Sequence, residues 1–333
     1  MGSGTVWRMP RPRELPAALG DAFHIAEAVA LGVSLERMRR ADLVRPFSGI
    51  RLRGGDPSEA IDSTDDFTRQ RRERQAAAIA YAPRLRAGQF FSHETAAALW
   101  GAPLPLVRDS DGAAVGGRLP VHVSVFGAAP LPRLDGVVGH RARVQTSSIR
   151  MRDGMAVSSP ATVWASLGTL RLYDLVAVGD HLCRKWREGI GRPDVGRAAI
   201  ATREQLAASI RAGRRVGAPR LRVALELVRE DSWSARESRM RCILHDFGLP
   251  EPELNIDVFD DDGTFLGCLD LAYPRERVGV EYHGLMHSDR YAKDVERMAR
   301  LRAAGWTLIE VTAALLRDES ALVRRVRAAL RSR

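Results

Sequence analysis

The stretch CLDLAYPRERVGVEYHGLMH, residues 268–287, sets two apolar runs on either side of Pro274, Arg275, Glu276 and Arg277. A strand from Gly267 to Tyr273, a four-residue polar turn and a strand from Val278 to His283 make an antiparallel hairpin. If Tyr273 pairs with Val278, Asp270 falls opposite Glu281. Alternation places Val278, Val280 and Tyr282 on one face and Gly279, Glu281 and His283 on the other, with Leu269 and Leu271 adding to the apolar side. Opposed carboxylates have Cβ atoms roughly 5 Å apart and repel, so pairing them calls for a compensating cation. A hard divalent metal, Mg²⁺ or Mn²⁺, suits such oxygen donors. The plainer reading is a pair of solvent-facing strand acids.

Around this hairpin the sequence reads as one domain over residues 221–333. Leu221 to Phe247 is helical with a break near Asp231 to Ser234, and Gly248 and Pro250 end it. Leu254 to Phe259 alternates as a strand, and DDDG turns the chain into the Phe265–Tyr273 strand. Beyond the hairpin come a helix from Ser288 to Ala304 stopped by Gly305, the strand WTLIEVT, and an amphipathic helix from Ser320 to Arg331. The order is helix, three antiparallel strands, helix, strand, helix.

Residues 1–56 form a separate unit. Ala26 to Leu31 reads as a short helix, Gly32 as its left-handed stop and Ser34 as the N-cap of a second helix through Ala41. That spacing suits a helix-turn-helix, and LVRPFSGIRLRGG suits a two-stranded wing. Arg37, Arg40, Arg45, Arg51 and Arg53 are then the candidate DNA-binding residues, against the alternative of a helical hairpin packed on the rest of the protein. After the charged segment GGDPSEAIDSTDD, residues 66–217 read as a middle α/β domain. It has helices in RQRRERQAAAIAYAPRL and SHETAAALWG, the latter capped by Ser92, strands in LPVHVSVFG, GVVGHRARV and GMAVSSP, and a long helix from Ala161 to Arg187. His93, His122, His140 and His181 are scattered without ligand spacing and read as ordinary histidines rather than a metal site. SDGAAVGGR lacks the Lys and Ser or Thr of a phosphate-binding loop.

Composition narrows the partners. The chain has 333 residues, enough for two or three domains, and 45% apolar residues. A formal charge of +10 favours a polyanionic partner, DNA in the first instance. Three cysteines without CxxC spacing fit reduced thiols and exclude a zinc ribbon. No run of roughly 18 apolar residues is present, and the start MGSGTVWRMPRPRELP lacks the apolar core of a signal peptide, so a cytoplasmic protein without membrane contact is expected.

The element order, with Glu237 in SARESRMR, Asp270 in CLDLAYP, Glu281 and His283 in VEYHG, His287, and the run YAKDVERMARLRAAGWTLIEVT, resembles the PD-(D/E)XK restriction-endonuclease-like superfamily. Within it, residues 234–316 look like the very-short-patch-repair endonuclease group and its uncharacterised bacterial relatives. The amino-terminal unit and SHETAAALWG resemble AbiEi-type antitoxin proteins, in which a winged helix precedes a larger α/β domain. The resemblance implies a multidomain α/β chain: an N-terminal winged helix, a middle α/β domain and a C-terminal restriction-endonuclease-like α/β/α domain. It implies Mg²⁺ held by Asp270 and Glu281, with the carbonyl of Tyr282 as a further ligand.

His283 stands where the wider fold has lysine, and would orient or deprotonate the attacking water, a role open to an imidazole. Glu237 would add a carboxylate, or else cap its helix or pair with Arg236, Arg239 or Arg241; His287 would contact phosphate or protonate the leaving oxygen. Asp294 and Arg297, three apart on a helix, would pair or brace the site. The expected activity is metal-dependent DNA endonuclease or nickase. The alternative is an antitoxin-like DNA-binding transcriptional regulator whose nuclease-like domain is catalytically silent. A third reading is an interaction protein without nucleic acid. Oligomeric state and any protein partner of the middle domain stay open.

Overall fold

A computed structural model of the chain describes residues 14–54, 65–117, 119–190, 192, 194–283 and 288–332. The chain divides into two compact units, Met1–Ser159 and Pro160–Arg333. This boundary falls inside the 66–217 stretch read above as one middle domain. Residues 160–217 belong with the C-terminal sheet because their helices pack on the helix that carries Glu237, as described below.

In the first unit, strands β1 (Ala22–His24), β2 (Leu43–Val44) and β3 (Ile50–Arg53) form a small antiparallel sheet in the order β1-β3-β2, and helix α1 (Ile25–Ala30) ends at Gly32 with φ +79°. Leu19, Phe23, Ala28, Met38 and Leu43 make its core. The expected second helix is only a 3-10 turn over Arg37–Arg39, in which the Arg37 N–H reaches the Ser34 hydroxyl. Helix α2 (Asp66–Tyr81), strand β4 (Gln89–Phe91), helix α3 (His93–Leu99) and strands β5 (Val121–Phe126), β6 (Val137–Ala142), β7 (Ile149–Arg152) and β8 (Met155–Ser158) complete the unit. Their sheet runs β6-β5-β4-β8-β7, with β5–β6 and β4–β8 parallel and the other pairs antiparallel.

The second unit opens with helices α4 (Pro160–Ser166), α5 (Leu172–Cys183), α6 (Arg203–Arg211), α7 (Ala218–Leu227) and α8 (Ala235–Asp246). The single long helix expected over Ala161 to Arg187 is broken between α4 and α5. There Gly168 lies against the Gly217 backbone so closely that a Cβ at Gly168 would sit 2.0 Å from the Val216 carbonyl oxygen. Strands β9 (Glu253–Phe259), β10 (Phe265–Tyr273) and β11 (Val278–Tyr282), helix α9 (Ser288–Ala303), strand β12 (Thr307–Val311), and helices α10 (Ala313–Arg317) and α11 (Glu319–Arg331) follow. The sheet order is β12-β11-β10-β9, antiparallel except for the parallel β11–β12 pair that α9 connects.

Helices cover both faces of this sheet. Leu271, Tyr273, Val278 and Val280 pack with Met240, Ile243 and Leu244 of α8 and Leu322, Val323 and Val326 of α11. On the opposite face Leu269 and Ala272 pack with Leu301 of α9 and Leu308 of β12. Leu269 therefore does not share a face with Leu271 as strict alternation requires. The break lies opposite Asn255, whose φ of +49° kinks β9 at that rung. Fully buried Arg241 ties α8 to α5 through an ion pair with Asp180 at 3.0 Å.

Among the described residues no helix is long and apolar enough to cross a membrane. Cys183, Cys242 and Cys268 are all free thiols, and burial pushes each up to about 12.

Candidate functional site

The β10–β11 hairpin has the register that its turn length dictates. Tyr273 pairs with Val278, Ala272 with Gly279 and Leu271 with Val280; the registered pairs end there, and Asp270 and Glu281 are the next residues on the two strands. Both acids face α9, which supplies the counter-charge. Arg297 donates from Nη1 to Glu281 Oε1 at 2.7 Å and from Nη2 to Glu281 Oε2 at 2.8 Å, a two-pronged pair, and its Nε reaches Asp294 at 3.3 Å. Its stem passes over Gly267, where a Cβ would lie 2.9 Å from Arg297 Cγ and Cδ. The cation called for by the opposed carboxylates is thus, in the first place, a side chain of the same protein.

Glu237 reaches the same corner from the start of α8. Ser234 caps that helix by accepting from the Glu237 N–H, and Glu237 Oε2 accepts from the Trp233 N–H at 2.8 Å and from Asn255 Nδ2 at 2.7 Å. The sequence Ser234-Ala-Arg-Glu237 has capping-box spacing, but only the Ser234 half forms: the Glu237 side chain accepts from Trp233, one residue before the cap, and is a buried carboxylate whose charge Asp270 feels. Loss of hydration raises the Glu237 pKa, against the pull of its hydrogen bonds. Asp270 Oδ2 accepts from the Tyr282 N–H at 3.0 Å. Its pKa is pushed up to about 8, first by burial and then by the charge of Glu237 and of Glu281, while Arg297 and the Tyr282 N–H act the other way.

His283 Nε2 lies 4.0 Å from Glu281 Oε2 and is buried without a hydrogen-bond partner among the described residues. Tyr282 touches Asp270 through its N–H, and its ring lies 4.8 Å beneath the Arg236 guanidinium. His287 lies outside the described residues. Basic and aromatic groups flank the acids: Arg184 stacks on Trp186 at 3.6 Å and approaches Trp233 at 4.9 Å, and Arg192 lies 5.2 Å from Trp233. Arg192 also pairs with Asp257 at 2.9 Å and donates to the Asn255 carbonyl, holding the kinked strand beneath Glu237.

The three acids fit a hard cation in donor chemistry, since Arg297 is engaged by Glu281 and Asp270 is pushed up to about 8, first by burial and then by the charge of both glutamates. They are not drawn together as a ready cage. Among the described residues, the group of three His, Cys, Asp or Glu ligand atoms all within 4.8 Å of one another is His93, His122 and His140. Three histidines read as scattered therefore meet. The signal was not readable in their spacing because it depends on the parallel β5–β6 register, in which His122 aligns with Val138 and Ser124 with His140.

The candidate DNA-binding arginines are largely engaged within the first unit. Arg37 forms a two-pronged pair with Asp42 at 2.9 and 2.6 Å. Arg51 is buried and donates to the Met38 and Ile50 carbonyls, and Arg53 donates to those of Pro16 and Leu19. Arg45 is exposed and reaches the Arg39 carbonyl, and Arg40 is half-buried. Arg51 and Arg53 thus brace the small β1-β3-β2 sheet and the segments beside it instead of presenting their charge outward.

No family model matches the chain. Two uncharacterised proteins of Mycobacterium tuberculosis, from strains CDC 1551 / Oshkosh and ATCC 25618 / H37Rv, are each 33% identical to it over 89 residues, which is 26% of this chain and 32% of theirs. The chain thus spans about a third of the length of the curated relatives it matches. No solved structure matches it.

Proposed function

We propose that the chain is a metal-dependent DNA endonuclease or nickase whose site is built from Glu237, Asp270, Glu281 and His283. The observation that carries this reading is the convergence of three carboxylates at one corner of an α/β/α layer. There Arg297 is engaged by Glu281, and burial first, then the charge of Glu237 and Glu281, pushes Asp270 up to about 8. A divalent cation held by Asp270 and Glu281 would polarise a phosphodiester and acidify bound water. Glu237, fixed by the Trp233 and Asn255 donors, would add charge from the α8 side. His283 Nε2, with no partner among the described residues and 4.0 Å from Glu281, would accept the proton of the attacking water. Arg184 and Arg236, interleaved with Trp186, Trp233 and Tyr282, offer the cation and ring surfaces that phosphates and unstacked bases bind. The first unit would add nonspecific affinity through its exposed Arg39 and Arg45.

A second reading has its own support. Arg297 holds both oxygens of Glu281, as expected of a nuclease-like scaffold that has replaced its metal by a guanidinium and serves as a DNA-binding regulator. Incubating supercoiled DNA with the purified full chain and Mg²⁺ or Mn²⁺ separates the two. The nuclease reading expects nicked or linear product with the wild type and none with Asp270→Ala or Glu281→Ala. Retained DNA binding without cleavage by the wild type would instead select the regulator.

A further inference from the structure

We infer that His93, His122 and His140 form a three-histidine site for a borderline divalent transition metal of the Zn²⁺ class, in the first unit and separate from the acidic corner. Three elements converge to make it. His122 and His140 lie on adjacent parallel strands, two residues out of register and therefore diagonal neighbours on one sheet face. His93 opens α3 directly after β4, where the Ser92 N–H donates to the His122 carbonyl and pins the two segments together. Each imidazole offers one nitrogen to a group whose atoms all lie within 4.8 Å of one another. His122 Nδ1 and His140 Nε2 are 2.9 Å apart, and the His93 ring lies over that of His140 with centroids 3.8 Å apart.

The polar partners of the rings assign the metal-facing nitrogens. His93 Nδ1 is 3.0 Å from Ser92 Oγ, which leaves Nε2 for a ligand. His122 Nε2 is 3.4 Å from Glu94 Oε2, which leaves Nδ1, the atom that already faces His140 Nε2. A carboxylate behind one metal-facing imidazole and a hydroxyl behind another are the outer partners that fix tautomer and orientation in histidine metal sites. Glu94 Oε2 is itself buried without a hydrogen-bond partner among the described residues, so a His122 N–H held firmly toward it would satisfy an otherwise costly oxygen. Tetrahedral Zn²⁺ with bonds near 2.0–2.1 Å sets ligand nitrogens roughly 3.3 Å apart, a small opening of the His122–His140 contact.

The backbone and the electrostatics agree with ligation. His93 holds φ +48°, a conformation that costs a non-glycine residue energy and that clusters at functional sites. All three imidazoles are held neutral, the form that binds metal: burial is the leading cause for each, with neighbouring histidines adding to it for His93, which falls to about 3, and for His122. Glu94 opposes the shift at His122 and His140, and Arg74 reinforces it at His122. Three protein nitrogens leave a fourth tetrahedral position for water or an incoming ligand, as in open rather than closed zinc sites. Nitrogen donors also discriminate against Mg²⁺, so this site and the acidic corner would select different ions.

Untagged full-length protein, stripped with a chelator, is titrated with ZnCl₂ by calorimetry and with CoCl₂ by visible absorption. One ion per chain is expected, with a tetrahedral Co²⁺ spectrum. Binding should weaken at least about 100-fold in His122→Ala and in His140→Ala, about 10- to 100-fold in Glu94→Gln, and not at all in Asp270→Ala. Melting of the wild type with and without Zn²⁺ gives a readout that needs no variant to fold: the ion should raise Tm and the chelator reverse it. No bound ion, an unchanged Tm, or Zn²⁺ binding that survives His140→Ala would overturn the site and leave a stack of hydrogen-bonded histidines.

Discussion

Arg297 reaches Glu281 because position 267 has no Cβ, and this small gap decides the electrostatics of the acidic corner. Glu281 is neutralised from α9, whereas Asp270, one strand away, accepts the Tyr282 N–H and feels the charge of both glutamates. An unfolded aspartate titrates near 3.9 and Asp270 in the fold near 8, so the native state binds this proton more tightly than the unfolded chain. The second unit therefore loses stability as pH rises from about 4 to about 8. Asp270→Asn keeps an oxygen for the Tyr282 N–H and removes the titration. It should stabilise the protein by about 1–3 kcal/mol at pH 8 and by little at pH 5 in denaturant melts, and an equal effect at both pH values would count against this account. The Tyr273–Val278 register of the hairpin was legible in the sequence because a four-residue turn fixes it. Arg297 was recognised only as a brace, since nothing in the spacing of α9 says how far over the sheet its side chain extends.

Among elements, α8 has the most to hold. It carries Glu237 at its first turn, packs Met240, Ile243 and Leu244 on the sheet, and is fastened to α5 by the Asp180–Arg241 pair inside the protein. Asp180 also accepts from the Ser238 hydroxyl and the Arg229 N–H, each at 2.7 Å. Removing one member of a buried ion pair strands the other, so Asp180→Ala should cost about 3–5 kcal/mol, measured by urea unfolding, while Arg241→Met with Asp180→Leu should recover much of it. A loss under about 1 kcal/mol would show that the pair does not fasten α8.

The helices and strands of the second unit were readable because their apolar periods are long and bounded by glycine and proline. Elsewhere tertiary contacts decide. The break between α4 and α5 follows from a backbone approach at Gly168 that no local pattern reveals, and the 3-10 turn at Arg37–Arg39 is what remains of a helix that its N-cap promised. Strand β7 was overlooked although Asp153 and Gly154, with φ of +49° and +75°, form the tight turn that announces a hairpin.

At the scale of the whole chain, the two units respond to pH with opposite sign. In the first, histidines at 93, 122 and 140 titrate below their unfolded value near 6.5, so the unfolded chain binds protons first and stability falls as pH drops from about 7. In the second, burial and the neighbouring glutamates push Asp270 up to about 8, and stability grows over the same descent. Hydrogen exchange corrected for intrinsic rates should show residues 121–142 losing protection between pH 7.5 and 5.5 while residues 265–282 gain it; parallel changes would refute the assignment. A mixed α/β chain was legible from alternating periods and glycine punctuation, but the unit boundary at Ser159/Pro160 was not, because the helices after it declare their allegiance only through α8.

The parallel β11–β12 pair adds a constraint of timing. A ribosome delivers the acidic hairpin well before Arg297 and the strand that flanks it, so the nascent chain carries its opposed carboxylates with no counter-ion and an unpaired edge on β11. The corner closes only when residues 297–311 have emerged, which makes it among the last features of its unit to form during synthesis.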